Sequence, residues 1–484
     1  MVFSDLLFLL VFIPSFALCY LLGTLVDKAM SKSKPLAEKR VLARNIVIVL
    51  FSLIFYGWGE PIYLFLMVLC VFLNYLSGLS IDRFEGKKRK VALVLGLVAN
   101  LSILGTFKYA DFFAQTLCDL GLNIPLPHIA LPIGISFYTF QSISYLIDVY
   151  RKQSPAQQHF GNLLLYISMF PQLVAGPIVR YDTIAREINN RSTSAEDIAE
   201  GLFRFLIGLG KKVIIANQFS EVADQFLANG INNLSAAGAW IGLVAFALQI
   251  YFDFSGYSDM AIGMGRCMGF HFNENFDHPY VSRSITEFWR RWHMSLGGFF
   301  RDYVYIPLGG NRRHQMFNIM IVWALTGLWH GASWNFVLWG LYFGLLLLVE
   351  KYFILRIADR LPRLVLHLYT LPLVVLSWGL FYFDDLGAMG KFYTAIFGKS
   401  GVAADIAEES ALLNNFWLWA VAIIFCMPVR RYAGELSERL FAKRQGLLTV
   451  VNTTSRTVVS LAILILSIAL LVGATNNAFI YTRF

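Results

Sequence analysis

Long apolar runs recur along the whole chain and limit its possible folds more than any other feature. The 484 residues are 57% hydrophobic and only 15% charged, whereas soluble domains carry about a quarter charged residues. A run of about 20 apolar residues crosses the hydrocarbon core of a bilayer as an α-helix. Helices satisfy their own backbone polar groups there, so the sequence predicts an all-α polytopic membrane protein.

Clusters of lysine and arginine alternate with the candidate spans. The basic clusters fall at residues 28–44, 83–90, 151–152, 356–363 and 430–444. Since basic residues collect in cytoplasmic loops, we expect these loops inside and the N-terminus outside. The net charge of +9 is then a membrane feature, and no nucleic-acid partner is predicted. The candidate spans are Leu6–Val26, Asn45–Trp58, Ile62–Ser80, Val91–Lys108, Leu131–Tyr150, Leu364–Phe383, Phe416–Val429 and Val458–Gly473.

The middle of the chain is interrupted by charged residues, Gly and Pro. Between Leu163 and Val349 the apolar runs are short, and non-helical backbone at membrane depth survives only where protein or a watery cavity covers it. We therefore expect a single integral domain over residues 1–484. It comprises N-terminal spans (1–150), a core of re-entrant and surface-lying helices that contains the site (151–349), and C-terminal spans (350–484).

The run TGLWHGASWN, Thr326 to Asn335, places a histidine inside an apolar stretch. An ionisable residue within the membrane indicates a functional site, and imidazole titrates near neutral pH, which suits proton transfer. The apolar segment from Phe317 to Val349 has 33 residues, fewer than the roughly 40 that two full spans need. A short hairpin that turns at Gly331–Asn335 and carries His330 near its tip is predicted. A structural histidine bonded across helices is the alternative.

A second motif, SITEFWRRWHMSLGGFFRDYVYIPLGGNRR, extends from Ser284 to Arg313 with His293 at its centre. Its pattern allows an amphipathic helix at the membrane interface, with aromatic anchors and snorkelling arginines. Composition alone favours this interpretation. The functional alternative is a cationic floor that holds phosphates at a cytoplasmic mouth, and the spacing does not decide between the two. The arginines concerned are Arg290, Arg291, Arg301, Arg312 and Arg313. The other histidines and the five cysteines show no metal-ligand spacing, so no metal site is predicted.

Two further runs carry unusual residues for a membrane chain. In YFDFSGYSDMAIGMG, the carboxylates of Asp253 and Asp259 require partners near the bilayer, and we expect arginines of the 284–313 run to supply them. In MFPQLVAGPIVRY, residues Pro171, Gly176 and Pro177 break any helix, as in a re-entrant segment.

Taken together, these runs resemble the membrane-bound O-acyltransferase family. The matching motifs are MFPQLVAGPIVRY, IYFDFSGYSDMAIG, SITEFWRRWHMSL, FRDYVYIPLGGNR and GLWHGASWNFVLWG, in the family's order. The start MVFSDLLFLLVF, the run LPIGISFYTFQSISYLIDVYR and the ending FIYTRF resemble the alginate O-acetyltransferase branch. The resemblance covers nearly the whole chain. It implies transmembrane and re-entrant helices around a central pore.

The resemblance also implies a chemistry. His330 matches the family's catalytic histidine and His293 its second histidine, while the five arginines are candidate contacts to an anionic donor. The branch implies transfer of acetyl from a cytoplasmic thioester, most simply acetyl-CoA, for O-acetylation of an exopolysaccharide such as alginate or cellulose. Implied partners are membrane lipid, a periplasmic SGNH-like acetyltransferase or a polysaccharide synthase complex, in a bacterial inner membrane. No tightly bound cofactor is expected.

Other functions remain open from sequence. Transfer of D-alanine to teichoic acid is the chemistry of a sister branch, whose members tend to have GPIDR and DFWNRWH where this chain has GPIVRY and EFWRRWH. A transporter of a lipid-linked sugar or acyl group would also use broken helices, although no internal repeat is visible. A scaffold for a synthase, with a structural His330, is a third possibility. Direct attack and a covalent acyl-histidine step are equally compatible with the motifs.

Overall fold

In the computed structural model, residues 2–30, 41–441, 444–474 and 479 are described. Regular structure in these ranges is helical, which confirms the all-α prediction. Part of the first basic cluster (31–40), Lys443 of the last one and the greater part of the FIYTRF ending lie outside the described residues.

Twenty-three α-helices follow one another in the described ranges. The first twelve are α1 (Ile13–Met30), α2 (Leu42–Gly59), α3 (Tyr63–Arg83), α4 (Gly86–Leu104), α5 (Ala110–Asp119), α6 (Ile135–Tyr150), α7 (Phe160–Ser168), α8 (Phe170–Leu173), α9 (Tyr181–Asn189), α10 (Ala195–Gly210), α11 (Asn217–Ala223) and α12 (Ala236–Cys267). The others are α13 (Ile285–Arg291), α14 (Met294–Phe300), α15 (Gln315–His330), α16 (Trp334–Val349), α17 (Leu355–Ile357), α18 (Arg363–Tyr382), α19 (Leu386–Ile396), α20 (Ile406–Leu413), α21 (Phe416–Phe425), α22 (Val429–Leu440) and α23 (Gln445–Val472).

Short segments of other helical types extend or join these helices. π-Helical turns occupy Phe8–Phe12, Gly105–Tyr109, Lys211–Ala216, Asp224–Asn229, Arg301–Tyr305 and Glu350–Ile354. 3-10 turns occupy Ile231–Asn233, Pro279–Val281 and Ala358–Arg360.

Eight helices among the described residues are long and apolar enough to cross a membrane, so the protein is a multi-pass membrane protein. They are Phe8–Met30, Leu42–Gly59, Tyr63–Arg83, Gly86–Asp119, Ala236–Cys267, Trp334–Arg360, Arg363–Tyr382 and Gly446–Val472. Two predicted spans are shorter than expected. The Leu131–Tyr150 span starts only at Ile135, after Pro132 and a left-handed Gly134 (φ +77°), and the Phe416–Val429 span is a ten-residue helix.

Helix α12 was not predicted as a span. It has 32 residues, and most of its apolar part is buried inside the protein. Its two carboxylates interrupt the apolar run in the sequence, but each forms an ion pair with a basic side chain. Asp253 pairs with Lys212 at 2.7 Å and Asp259 with Arg204 at 2.9 Å, so the expectation that arginines of the 284–313 run would pair with them was wrong.

The chain divides into two compact units, one of residues 2–205 and 257–274 and the other of residues 206–256 and 275–479. In the first unit, two hydrogen bonds between the side-chain amides of Asn74 and Asn100 join α3 to α4. Nδ2 of Asn74 donates to Oδ1 of Asn100 at 3.0 Å, and Nδ2 of Asn100 donates to Oδ1 of Asn74 at 2.8 Å. The predicted break at 169–177 is confirmed, because α7 ends at Ser168 and α8 has only four residues. In the second unit, α15 and α16 form a hairpin against which α13 and α18 pack.

Candidate active site

The hairpin of the second unit brings His330 to its tip. Helix α15 ends at His330, Gly331 is extended, and α16 begins at Trp334, which confirms the predicted turn. The two helices touch through their backbones. A Cβ on Gly327 would lie 2.2 Å from the carbonyl oxygen of Phe336. His330 is therefore held at an interface where glycine lets the two helices approach closely.

Aromatic rings surround the imidazole of His330, which is only 3% exposed. The ring centroids of Trp329, Trp339 and Phe381 lie 4.9, 5.0 and 5.2 Å from its own, at interplanar angles of 78°, 81° and 77°. These contacts are edge-to-face, the arrangement aromatic rings prefer. They exclude water from the imidazole, where electrostatic interactions are stronger than in bulk solvent.

The turn after His330 is fixed to α18. Asn335 is fully buried, accepts a hydrogen bond from the Ser333 hydroxyl, and donates from Nδ2 to the carbonyl of Leu380 at 3.2 Å. Leu380 precedes Phe381, which contacts His330. Asn335 therefore sets the position of the turn and of one aromatic wall together.

His293 lies between α13 and α14 and is held in one tautomer. Its backbone is left-handed (φ 44°), and its Nδ1 is 3.1 Å from Oδ1 of Asn275. The same oxygen accepts from the backbone N–H of Ser295 at 3.2 Å and from its hydroxyl at 2.9 Å. A backbone N–H is always a donor, so this atom is the amide oxygen and Nδ1–H must donate to it. Nε2 of His293 therefore carries the lone pair.

Burial keeps the His293 imidazole neutral. The side chain is 1% exposed and packs on Phe254, with ring centroids 4.7 Å apart. Desolvation lowers the pKa of His293 to about 3, because burial disfavours the charged form. His293 is suited to accept a hydrogen bond through Nε2, but not to act as a cation near neutral pH.

The two histidines meet at one indole ring. The Trp329 ring centroid lies 5.6 Å from that of His293 and 4.9 Å from that of His330. Residues that sequence analysis singled out in separate motifs are thus brought to the same place. The indole between them was not predicted as part of the site.

The five candidate arginines differ in their surroundings, because two of them form ion pairs with carboxylates. Arg291 pairs with Glu287 at 3.0 Å and with Asp277 at 3.1 Å, while Arg301 pairs with Asp302 at 2.7 Å. The side chains of Arg290, Arg312 and Arg313 are exposed.

The loop that carries Arg312 and Arg313 has a defined shape. Asn318 Nδ2 donates to the carbonyls of Gly310 at 3.0 Å and of Arg313 at 2.7 Å. The loop precedes α15, so its two arginines stand at the opposite end of that helix from His330. Within the described residues no group of three or more His, Cys, Asp or Glu side chains could hold a metal ion.

Comparison with known proteins gives the family. The model of the membrane-bound O-acyltransferase family matches residues 153–386, which include both histidines and all five arginines. A probable alginate O-acetylase of Azotobacter vinelandii is 39% identical over 448 residues, which cover 90% of this chain and 86% of that protein. The chain belongs to the membrane-bound O-acyltransferase family.

Other relatives agree with this membership. A probable alginate O-acetylase of Pseudomonas aeruginosa is 41% identical over 82% of this chain and 75% of its own length. A peptidoglycan O-acetyltransferase of Helicobacter pylori is 35% identical over 86% of this chain and 83% of its own length. The protein is therefore an O-acyltransferase, which confirms the enzymatic prediction over the transporter and scaffold alternatives.

Sequence reasoning missed the residues that hold the two histidines of this acyltransferase. Asn275 is 18 residues from His293 and lies outside any helix, so no periodicity connects them. Phe381 reaches His330 from α18, which the sequence marked only as a span. Asn335 had a usable signal, since a buried amide in the first turn after a tight loop needs a partner.

Proposed function

We propose that this acyltransferase moves an acetyl group from acetyl-CoA at the cytoplasmic face of a bacterial inner membrane to a hydroxyl of an exopolysaccharide such as alginate or cellulose. Support comes from the relatives named as alginate or peptidoglycan O-acetyl-transferring enzymes, which match over 82–90% of the chain. A teichoic acid D-alanyltransferase of Bacillus subtilis is 29% identical over only 48% of it. At the level of residues, the observation that carries the proposal is that the indole of Trp329 contacts both His330 and His293.

His330 is the general base in this proposal. It takes the proton from the acceptor hydroxyl as that oxygen attacks the thioester carbonyl carbon. The tetrahedral intermediate then collapses, the carbon–sulfur bond breaks, and the imidazolium returns the proton to the leaving thiolate. Catalysis of this kind contributes about 10²–10⁴-fold in rate. The aromatic enclosure of His330 adds to it by excluding water.

His293 has a supporting role. Because Nδ1–H donates to Asn275, the lone pair of the His293 ring lies on Nε2, which is therefore the ring nitrogen able to accept a hydrogen bond. A hydroxyl or amide N–H of the substrates would bond to it without any change of protonation near neutral pH. Such a bond orients a reacting group and contributes through positioning.

The arginines suit a long donor with phosphates at one end and a thioester at the other. Helix α15 has 16 residues, so the loop with Arg312 and Arg313 is about 24 Å from His330 along its axis. Acetyl-CoA separates its phosphates from its thioester by an extended pantetheine arm. Arg290, Arg312 and Arg313 are the exposed candidates for the phosphates, whereas Arg291 and Arg301 already hold carboxylates.

Reconstituted wild-type protein tests the donor. In liposomes with acetyl-CoA, the account predicts that release of free CoA thiol depends on an acceptor sugar, with the acetyl group recovered as an ester. A periplasmic SGNH-like partner, added from the lumenal side, raises the yield if transfer is relayed. Turnover of a D-alanyl carrier-protein thioester, with acetyl-CoA inert, would contradict the proposed donor and favour the sister chemistry.

A further inference from the structure

Glu350 is a buried carboxylate that the proposed chemistry does not use. Its side chain is 0% exposed, and it lies in the π-helical turn that follows α16. Its Oε2 accepts from the backbone N–H of Ile285 at 2.5 Å and its Oε1 from that of Thr286 at 2.8 Å. In the sequence, Glu350 directly follows the apolar segment that ends at Val349.

These two hydrogen bonds provide acceptors for the first backbone N–H groups of α13. The first N–H groups of a helix have no partner within it, and burying such a group without a hydrogen-bond acceptor is destabilising. The Ser284 hydroxyl accepts from Glu287 N at 2.9 Å, which leaves the N–H groups of Ile285 and Thr286 to an outside acceptor. Glu350 supplies both acceptor atoms from the base of the hairpin that carries His330.

The rest of α13 lies along the same hairpin. The ring of Trp289 packs on Trp323 of α15 and Phe343 of α16, each with a centroid distance of 4.8 Å. Beyond the helix, His293 reaches Trp329 near the tip. The contacts thus run in order from Glu350 at the base to His293 at the site. Because α13 has only seven residues, a shift at its start is carried directly to its end.

We propose that Glu350 is a positioning residue, whose carboxylate anchors the start of α13 to the hairpin and so sets where His293 stands relative to His330. The inference rests on the proposed function of the two histidines. It assigns a role in acyl transfer to a residue that contacts neither histidine.

Glu350→Gln is the sharpest variant. Gln has nearly the same shape, but its NH₂ group would face one of the two N–H donors, so one bond is replaced by a repulsive contact. We expect kcat per folded protein to fall about 10- to 100-fold, the effect of a small misplacement of a reacting group, with KM for acetyl-CoA unchanged. Glu409→Gln, at an exposed position on α20, makes the same chemical change and should leave both constants as in wild type.

A double-variant comparison separates positioning from general damage. If Glu350 acts through His293, then Glu350→Gln should cause no further loss of kcat in a His293→Asn background. Multiplicative losses, or a kcat for Glu350→Gln equal to that of Glu409→Gln, would overturn the proposal. If Glu350→Gln does not fold, Glu350→Asp keeps the charge, stretches both bonds, and is put through the same comparison.

The wild-type rate is measured first with acetyl-CoA and with a D-alanyl carrier thioester. Activity with only the second would refute the proposed donor, and the comparison would then be run with that thioester. The positioning role and the proposed function therefore fail on different observations.

Discussion

Replacing Gly327 by Ala should force the two helices of the hairpin apart. The added Cβ would lie 2.2 Å from the carbonyl oxygen of Phe336, whereas ordinary contact begins at 3.4 Å. The backbones must therefore separate locally by about 1 Å, and a carbonyl cannot rotate away as a side chain can. Overpacking costs about 1–3 kcal/mol, and we expect the upper end here. For a chain of this length that lowers the unfolding midpoint by about 3 °C.

Thermal unfolding of the detergent-solubilised protein, followed by the size-exclusion fluorescence of the monodisperse peak, measures this effect. Gly390→Ala is the matched control, because a Cβ there meets nothing within 4 Å and alanine is favoured over glycine in a helix by up to about 1 kcal/mol. Its midpoint should stay equal or rise slightly. Acyl transfer per folded protein should also fall in Gly327→Ala, since His330 is three residues away. Equal midpoints for the two variants would refute the close approach of the helices.

Two further predictions concern buried polar groups. Asp253→Asn removes the negative charge that pairs with the buried ammonium of Lys212, which is 3% exposed. The variant should therefore lose about 3–5 kcal/mol of stability in thermal or denaturant unfolding, and adding Lys212→Met to it should recover most of the loss. A double variant as unstable as Asp253→Asn would contradict this. Burial lowers the pKa of His293 to about 3 in the folded protein, whereas its usual value in an unfolded chain is about 6.5. Between these two values the unfolded state binds more protons than the folded state. The free energy of unfolding therefore decreases as pH falls from about 6.5 towards 3. His293→Asn, which tolerates the left-handed backbone, should show a weaker loss of midpoint over that range, and an unchanged slope would argue against a neutral buried imidazole.

The parts of the fold that the sequence predicted depend on local patterns. Most spans followed from runs of apolar residues. The hairpin followed from a segment too short for two full spans with glycine at its turn, and His330 stood out because ionisable residues are rare in such a segment. Each of these signals lies within a few tens of residues.

The parts that were missed depend on partners far apart in the chain. Helix α12 looked interrupted because Asp259 finds its counter-charge in Arg204, 55 residues away, and no pattern reports such a pairing. The support of His293 by Asn275 comes from a loop, where periodicity carries no information. Glu350 was hidden for the same reason, since the backbone groups it binds are about 65 residues distant.

The proposed catalytic role of His330 is tested most directly by the O-acetyl content of the polysaccharide that we propose as the acceptor. Cells that lack the protein would be complemented with wild type, His330→Ala or His159→Ala, a control at an exposed histidine in the first unit, and membrane abundance would be measured for each. The account predicts that wild type and His159→Ala restore the acetyl ester, while His330→Ala at equal abundance does not. Full acetylation by His330→Ala cells would contradict the account.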